Sequence, residues 1–158
     1  MRTIVDLYPQ YKDQSYGDRI LVSIYYLRVM IERHLETRLA PFGITATQFR
    51  TLYVIREAKE EGIAVYNLRQ FVSEPSSSDV SRLVARMEKA GWVKRGKNKI
   101  DKRQVLIFAT KSGEELIAQL TSDRKTLELD MPELNEEVGE ELYQHLQILV
   151  DSFTKAPK

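Results

Sequence analysis

The chain has 158 residues, 42% hydrophobic and 30% charged, with a formal net charge of +1 and no cysteine. That length and composition give a single compact unit with a sizeable core and exclude disordered and collagen-like classes, while the missing thiols remove disulfides, cysteine-based zinc sites and thiol redox sensing. No stretch approaches the ~20 apolar residues of a membrane span, and the opening MRTIVDLYPQYKD lacks the apolar centre of a secretory signal, so a cytoplasmic protein without a membrane partner is expected.

The first helix is predicted from about Asp18 to Ala40, where Ile20, Ile24, Leu27, Ile31, Leu35 and Leu39 form a stripe widened by Leu21, Met30 and His34. Pro41 and Gly43 stop it. Thr45 or Thr47 caps a second helix whose inward face is Phe49, Leu52 and Ile55 and which ends by Gly62. Val65 to Ser73 gives a short third helix with Leu68, Phe71 and Val72 inward. The brief link Glu74–Pro75 then makes a helix-turn-helix arrangement with the next segment.

That fourth helix begins near Ser77. Pro75 disfavours helix before it, and Ser76 followed three residues later by Asp79 is a capping-box-like pair. Val80, Leu83, Val84 and Met87 recur at helical spacing as a core stripe, and Gly91 ends the run. The opposite face centres on Ser78, Arg82, Ala85 and Lys89, with Ser81 and Arg86 at its margins. Short side chains at the start and arginines beyond suit a helix lying in a major groove. The same face is also what an ordinary solvated helix surface looks like.

The residues after Gly91 favour the groove. Trp92 to Arg95 and Gln104 to Ala109 are β-prone runs separated by the polar stretch 96–103, a two-stranded hairpin with a basic tip. From Arg82 to Arg103 there are nine basic residues against two acids, a local net of +7 in a chain of net +1. Such segregation matters more for phosphate binding than overall charge does. A helix feeding a charged hairpin is the layout of a winged helix, a module that usually binds double-stranded DNA.

Beyond the hairpin, Lys111 to about Leu129 is predicted helical with Leu116, Ile117, Leu120 and Leu127 on one side, and Pro132 interrupts it. A last helix from about Asn135 to Phe153 carries Val138, Leu142, Leu146, Leu149 and Phe153. Most of the compensating acid lies in this region, which DNA would repel. Wide apolar stripes on terminal helices pack either on the chain's own core or on a partner subunit, and the surplus of long helices favours a symmetric dimer. The expected fold is therefore mainly α (α+β): an N-terminal arm and dimerisation helix (1–43), a winged helix-turn-helix (44–110) and C-terminal dimerisation helices (111–158).

Catalysis has little to stand on. The sequence offers no phosphate-cradling glycine loop, activated nucleophile or purposeful carboxylate pair. His34 and His145 are the only histidines and have no metal-ligand spacing, so neither enzyme activity, cofactor nor metal is expected. A protein-docking module that has lost DNA binding is the rival class, and the local +7 opposes it.

Five segments in order resemble the MarR family of transcription regulators, over nearly the whole chain: Ile44-Thr45-Ala46-Thr47-Gln48-Phe49, Val80-Ser81-Arg82-Leu83-Val84, the run Met87 to Arg95, Asp101-Lys102-Arg103, and Ala109-Thr110-Lys111-Ser112-Gly113. The resemblance implies a homodimer on a pseudo-palindromic operator, more often a repressor, whose affinity is adjusted by a small aromatic or phenolic ligand. By their place on the exposed face, Ser77, Ser78, Ser81 and Arg82 are the candidates for reading bases, Ser76 and Arg86 join them as DNA-binding candidates, and Arg95, Lys97, Lys99 and Arg103 are candidates for gripping backbone or minor groove; the resemblance implies that Arg103 enters or lines the minor groove. Asp101 would brace the wing. Effector candidates in the first two helices are Tyr25, Tyr26, Arg28, His34, Arg50 and Tyr53, residue types that also serve as ordinary interface packing. One departure stands out: Arg69 occupies a position usually small in the family, so either the helix-turn-helix angle opens or Arg69 points outward.

Overall fold

The computed structural model describes residues 4–71, 77–98, 104–122 and 135–154. Their contacts form two compact units, Met1–Glu128 and Leu129–Lys158, where a single unit was expected. In the first unit, α1 (Ile4–Leu7) and a 3-10 turn (Pro9–Tyr11) precede the long α2 (Tyr16–Leu39). Ser15 caps α2 by accepting the Asp18 amide, and the acid in that first turn suits the helix dipole. The helix tightens into a 3-10 turn over Ala40–Phe42 and stops at Gly43, whose φ of 67° is left-handed.

Between Thr45 and Thr47, the structure selects Thr45 as the cap of α3 (Ala46–Glu57). Its Oγ1 accepts the Gln48 amide at 3.2 Å while Gln48 Oε1 accepts the Thr45 amide at 2.9 Å, a complete capping box. The helix gives way to a 3-10 turn over Lys59–Glu61 before reaching Gly62. Two elements differ from the sequence expectation. Ile63–Ala64 is a strand, β1, too short to show a period of two, and the expected third helix is a 3-10 segment, Asn67–Phe71, with Leu68 fully buried.

The helix α4 spans Ser77–Lys89. It ends in a Schellman motif: Gly91 adopts φ 79°, the Trp92 amide donates to the Met87 carbonyl, and the Gly91 amide to that of Glu88, both at 3.0 Å. Strands β2 (Val93–Lys97) and β3 (Val105–Ala109) pair antiparallel with Arg95 opposite Ile107. β1 adds to the other edge of β3, giving the order β1-β3-β2 where two strands were expected. After Thr110, α5 (Lys111–Ser122) packs back on α3. The second unit contributes α6 (Glu136–Thr154), capped by Asn135 Oδ1, which accepts the Val138 amide at 2.9 Å. The predicted Leu127 and Pro132 features lie outside the described residues.

One core serves the first unit. Val80, Leu83, Val84 and Met87 of α4 meet Phe49, Leu52 and Ile55 of α3, Ile107 of β3, and Ile117 and Leu120 of α5. Each fully buried aliphatic side chain contributes about 1.5–3 kcal/mol. From α2 only Leu39 is fully buried, with Leu35 packed partly against the cluster; Ile20, Ile24, Leu27 and Ile31 remain exposed.

Candidate nucleic-acid interface

The buried stripe of α4 fixes which side of that helix meets solvent. Ser81, Arg82, Ala85, Arg86 and Lys89 are all exposed, and β2 adds three exposed cations, Arg95 and Lys97 on one face of the strand and Lys94 on the other. The two elements meet through the tight Schellman turn, so helix and wing strand are held in a fixed relation.

Two ion pairs shape this surface. Arg82 stands 3.8 Å from Asp79 one turn earlier, both well exposed, an attraction of about 0.3–0.5 kcal/mol. That is weak enough for Arg82 to exchange its partner for a base edge or a phosphate. Arg95 Nε donates to Glu88 Oε2 at 3.1 Å, tying β2 to α4. Arg95, expected only to grip nucleic acid, therefore also braces the wing, and its remaining N–H groups are what a phosphate can meet. At the far end, Asn98 donates both its amide and its side chain to Gln104, at 3.1 and 2.6 Å, which closes the hairpin below its tip. Ser76, Lys99, Asp101 and Arg103 lie outside the described residues, as do the side chains of Ser77 and Ser78.

Two clefts adjoin this surface. One of about 300 Å³ is lined by Glu36, Thr45, Thr47, Gln48, Asp79, Leu83 and Arg86, which places Arg86 among carboxylates at a helix junction rather than on a purely cationic face. The other, about 660 Å³, lies on the side of the sheet opposite the core, with Leu106 and Phe108 beneath and Glu60, Glu61, Asn67, Lys97 and Gln104 around it. The Phe108 ring sits between Gly62 and Gly96, where an added Cβ would come within 2.6 and 2.7 Å of it.

The effector candidates line neither cleft. Tyr26 packs edge-on against Tyr8 of the N-terminal arm, and Arg28 sits 5.6 Å from the Tyr25 ring. Tyr53 lies between Phe49 and Arg56. His34 Nε2 is buried and has no hydrogen-bond partner among the described residues. Arg50 is already engaged: it donates twice to Glu32, at 2.8 and 3.0 Å, across the α2–α3 contact. Hydrogen bonding from Arg50, reinforced by its charge and that of Arg28, holds the Glu32 carboxyl below its ordinary pKa despite partial burial. One turn on, Glu36 Oε1 accepts the Ala46 amide at 2.9 Å. Sequence reasoning misses both glutamates, although their i,i+4 spacing on one face of the first helix is a usable signal.

Arg69 is half-buried, and its guanidinium lies 5.2 Å from the ring centre of exposed Tyr66. Among the described residues, no group of three metal-binding side chains occurs, and no helix is long and apolar enough to cross a membrane.

Comparison with known proteins places this geometry. A family profile described as transcriptional regulator SarA/Rot matches residues 34–120, more than half of the chain. The multiple antibiotic resistance protein MarR of Salmonella typhimurium is 34% identical over 96 residues, 61% of this chain and 65% of that protein. The regulator TtmR of Methylorubrum extorquens is 31% identical over 65% of this chain and 51% of its own length. The match thus spans less than two thirds of either relative. Among solved structures, wild-type MarR from E. coli superposes with a TM-score of 0.65 at 26% identity, covering 85% of this chain and 96% of that one. A mutant E. coli MarR complexed with operator DNA gives 0.73 at 24% identity, over 94% and 99% of the two chains, a likeness of fold.

Proposed function

The chain belongs to the SarA/Rot family of transcriptional regulators, winged helices of the MarR type and not enzymes, and from that premise we propose that it binds a pseudo-palindromic double-stranded DNA operator as a cytoplasmic homodimer. The observation that carries this reading is the set of exposed cations on α4 and β2, Arg82, Arg86, Lys89, Lys94, Arg95 and Lys97, with the apolar stripe of α4 buried behind it. α4 enters the major groove, with Ser81 and Arg82 at base edges, and the wing reaches the neighbouring minor groove through Arg103. The E. coli MarR solved with operator DNA supports the same arrangement by analogy of fold.

Dimerisation rests on exposed apolar stripes on both terminal helices, Ile20, Ile24, Leu27 and Ile31 on α2 and Val138, Leu142 and Leu146 on α6. The 1–43 and 111–158 segments then form the dimer layer and 44–110 the DNA-binding part. Two copies of α4 must sit ~34 Å apart to meet successive major grooves. A small aromatic or phenolic ligand that favours another spacing lowers DNA affinity by its differential binding energy, and repression is relieved. Such an anion at Arg28 and Arg50 has to displace Glu32, since Arg50 is already paired.

The test is DNA binding by fluorescence anisotropy across a salt series. A steep fall of log affinity with log salt is expected. Undetectable binding to mixed genomic fragments at ~50 mM salt, where phosphate contacts are strong, rejects the reading. Arg82→Ala separates base from backbone contact: it alters which DNA is selected if Arg82 meets bases, and weakens all sequences equally if it meets phosphate.

A further inference from the structure

We propose that Tyr66 and Arg69 form a phosphate-gripping pair outside the recognition helix and wing. The proposal rests on the DNA-binding reading above.

The pair is a product of local geometry. The segment Asn67–Phe71 is a 3-10 helix, and the Arg69 amide donates to the Tyr66 carbonyl at 3.2 Å. Tyr66 immediately precedes the segment, and residues three apart lie on one side of a 3-10 turn, with the guanidinium 5.2 Å from the ring centre. Leu68, fully buried between them in sequence, anchors the turn to the core. Tyr66 is 73% exposed and Arg69 half-buried, so the ring side of the stack faces solvent.

Chemistry then decides what such a pair can take. Arg50, Arg56, Arg82 and Arg95 each pair with a carboxylate, whereas among the described residues none lies within ion-pair distance of Arg69; Arg19 and Arg28 stack on tyrosines in the same way, but on α2 rather than on the helix-turn-helix. An aromatic face holds a guanidinium flat without neutralising it and leaves its N–H edge for another acceptor. A planar fork of donors matches a phosphate bidentately, and the Tyr66 hydroxyl adds a donor at the other end of the stack. The element carrying them packs against α4 as the first helix of the helix-turn-helix, the element that crosses the DNA backbone in this motif. Phosphate contacts there fix position without reading sequence.

The experiment compares wild type with Arg69→Gln, Arg69→Lys and Tyr66→Ala on two unrelated duplexes across a salt series, with active protein counted by stoichiometric titration. Arg69→Gln is expected to bind about tenfold more weakly on both duplexes, since a hydrogen bond to a charged group is worth at least ~1.5 kcal/mol. Its salt slope should flatten by about one charge. Arg69→Lys keeps the slope, and Tyr66→Ala weakens binding while keeping it. A merely structural role would lower the active fraction or the melting temperature and leave the slope alone. An unchanged slope in Arg69→Gln beside a steep wild-type slope overturns the pair and leaves the DNA reading standing, whereas a flat wild-type response overturns both.

Discussion

Gly113→Ala sets two effects of opposite sign against each other. Inside a helix, exchanging glycine for alanine gains about 0.5–1 kcal/mol from reduced chain entropy. At Gly113, in the first turn of α5, an added Cβ falls inside contact distance of the Trp92 carbonyl oxygen, 3.0 Å from its carbon and 3.2 Å from Leu52 Cδ1. That oxygen cannot simply retreat, because it accepts the Thr110 amide at 3.0 Å and Thr110 Oγ1 in turn caps Gly113 at 3.2 Å. A comfortable carbon–oxygen contact is about 3.3 Å, so backbone must shift by about 1 Å where α4 exits towards β2. Overpacking against backbone costs about 3 kcal/mol, which leaves a net loss of about 2 kcal/mol. In a chain of this size that lowers Tm by about 4–8 °C. Circular dichroism melts and urea titrations at one fixed protomer concentration measure it. Gly139→Ala in α6, with nothing within 4 Å of the new Cβ, is the control and should gain about 0.5–1 kcal/mol. A Gly113→Ala protein at least as stable as wild type refutes the packing argument.

Thr45→Ala removes the side-chain acceptor for the Gln48 amide, one half of the capping box, and should cost about 1 kcal/mol in urea unfolding. Glu32→Gln weakens the α2–α3 bridge by about 1 kcal/mol at neutral pH, a value suited to a pair that is one-third exposed. Because the folded Glu32 pKa lies below its ordinary value, that stabilisation is complete above the ordinary carboxylate range and fades as pH falls through the lowered folded pKa. Wild type and Glu32→Gln should therefore converge in stability under acid, and a gap that stays constant from neutral pH to pH ~3 contradicts this linkage. Leu39→Ala, at a fully buried site, should cost about 2–5 kcal/mol. Ile24→Ser, at an exposed site on the same helix, should chiefly change how Tm depends on protein concentration.

Legibility in the sequence tracks the range of the interactions involved. The α4 stripe and the Gly91 stop are local, so their spacing alone announces them, and each is present; the cap of α3 is local too, but the sequence leaves Thr45 and Thr47 open and the structure selects Thr45. β1 escapes a reading of the sequence because two residues carry no alternation; only pairing with β3, more than forty positions away, makes them a strand. The segment around Leu68 has the apolar spacing of an α-helix, which a 3-10 turn of five residues satisfies almost as well. Side-chain pairs are the least visible. Glu88 with Arg95 and Glu32 with Arg50 join residues on different elements, and no periodicity encodes which cation a carboxylate will find. In the sequence, Arg95 and Arg50 accordingly look open to a ligand, although each already has a protein partner.

The distribution of apolar burial along α2 has a mechanical consequence. Its last two turns insert Leu35 and Leu39 into the core of the winged helix, whereas Ile20, Ile24, Leu27 and Ile31 leave the same helix apolar and exposed upstream. Glu32 and Glu36 stand at the changeover, and both reach α3: one clasps Arg50 and the other takes the amide of Ala46 at the helix start. A straight helix transmits rotation along its length, and two attachments one turn apart leave α3 little freedom to lag behind. α3 in turn packs through Phe49, Leu52 and Ile55 into the cluster that holds Val80, Leu83 and Met87 of α4. A tilt imposed on the exposed half of α2 is therefore expected to reach α4 through these packed side chains and two carboxylates. Weakening the carboxylates alone should soften that transmission while leaving the apolar core, and hence the fold, in place.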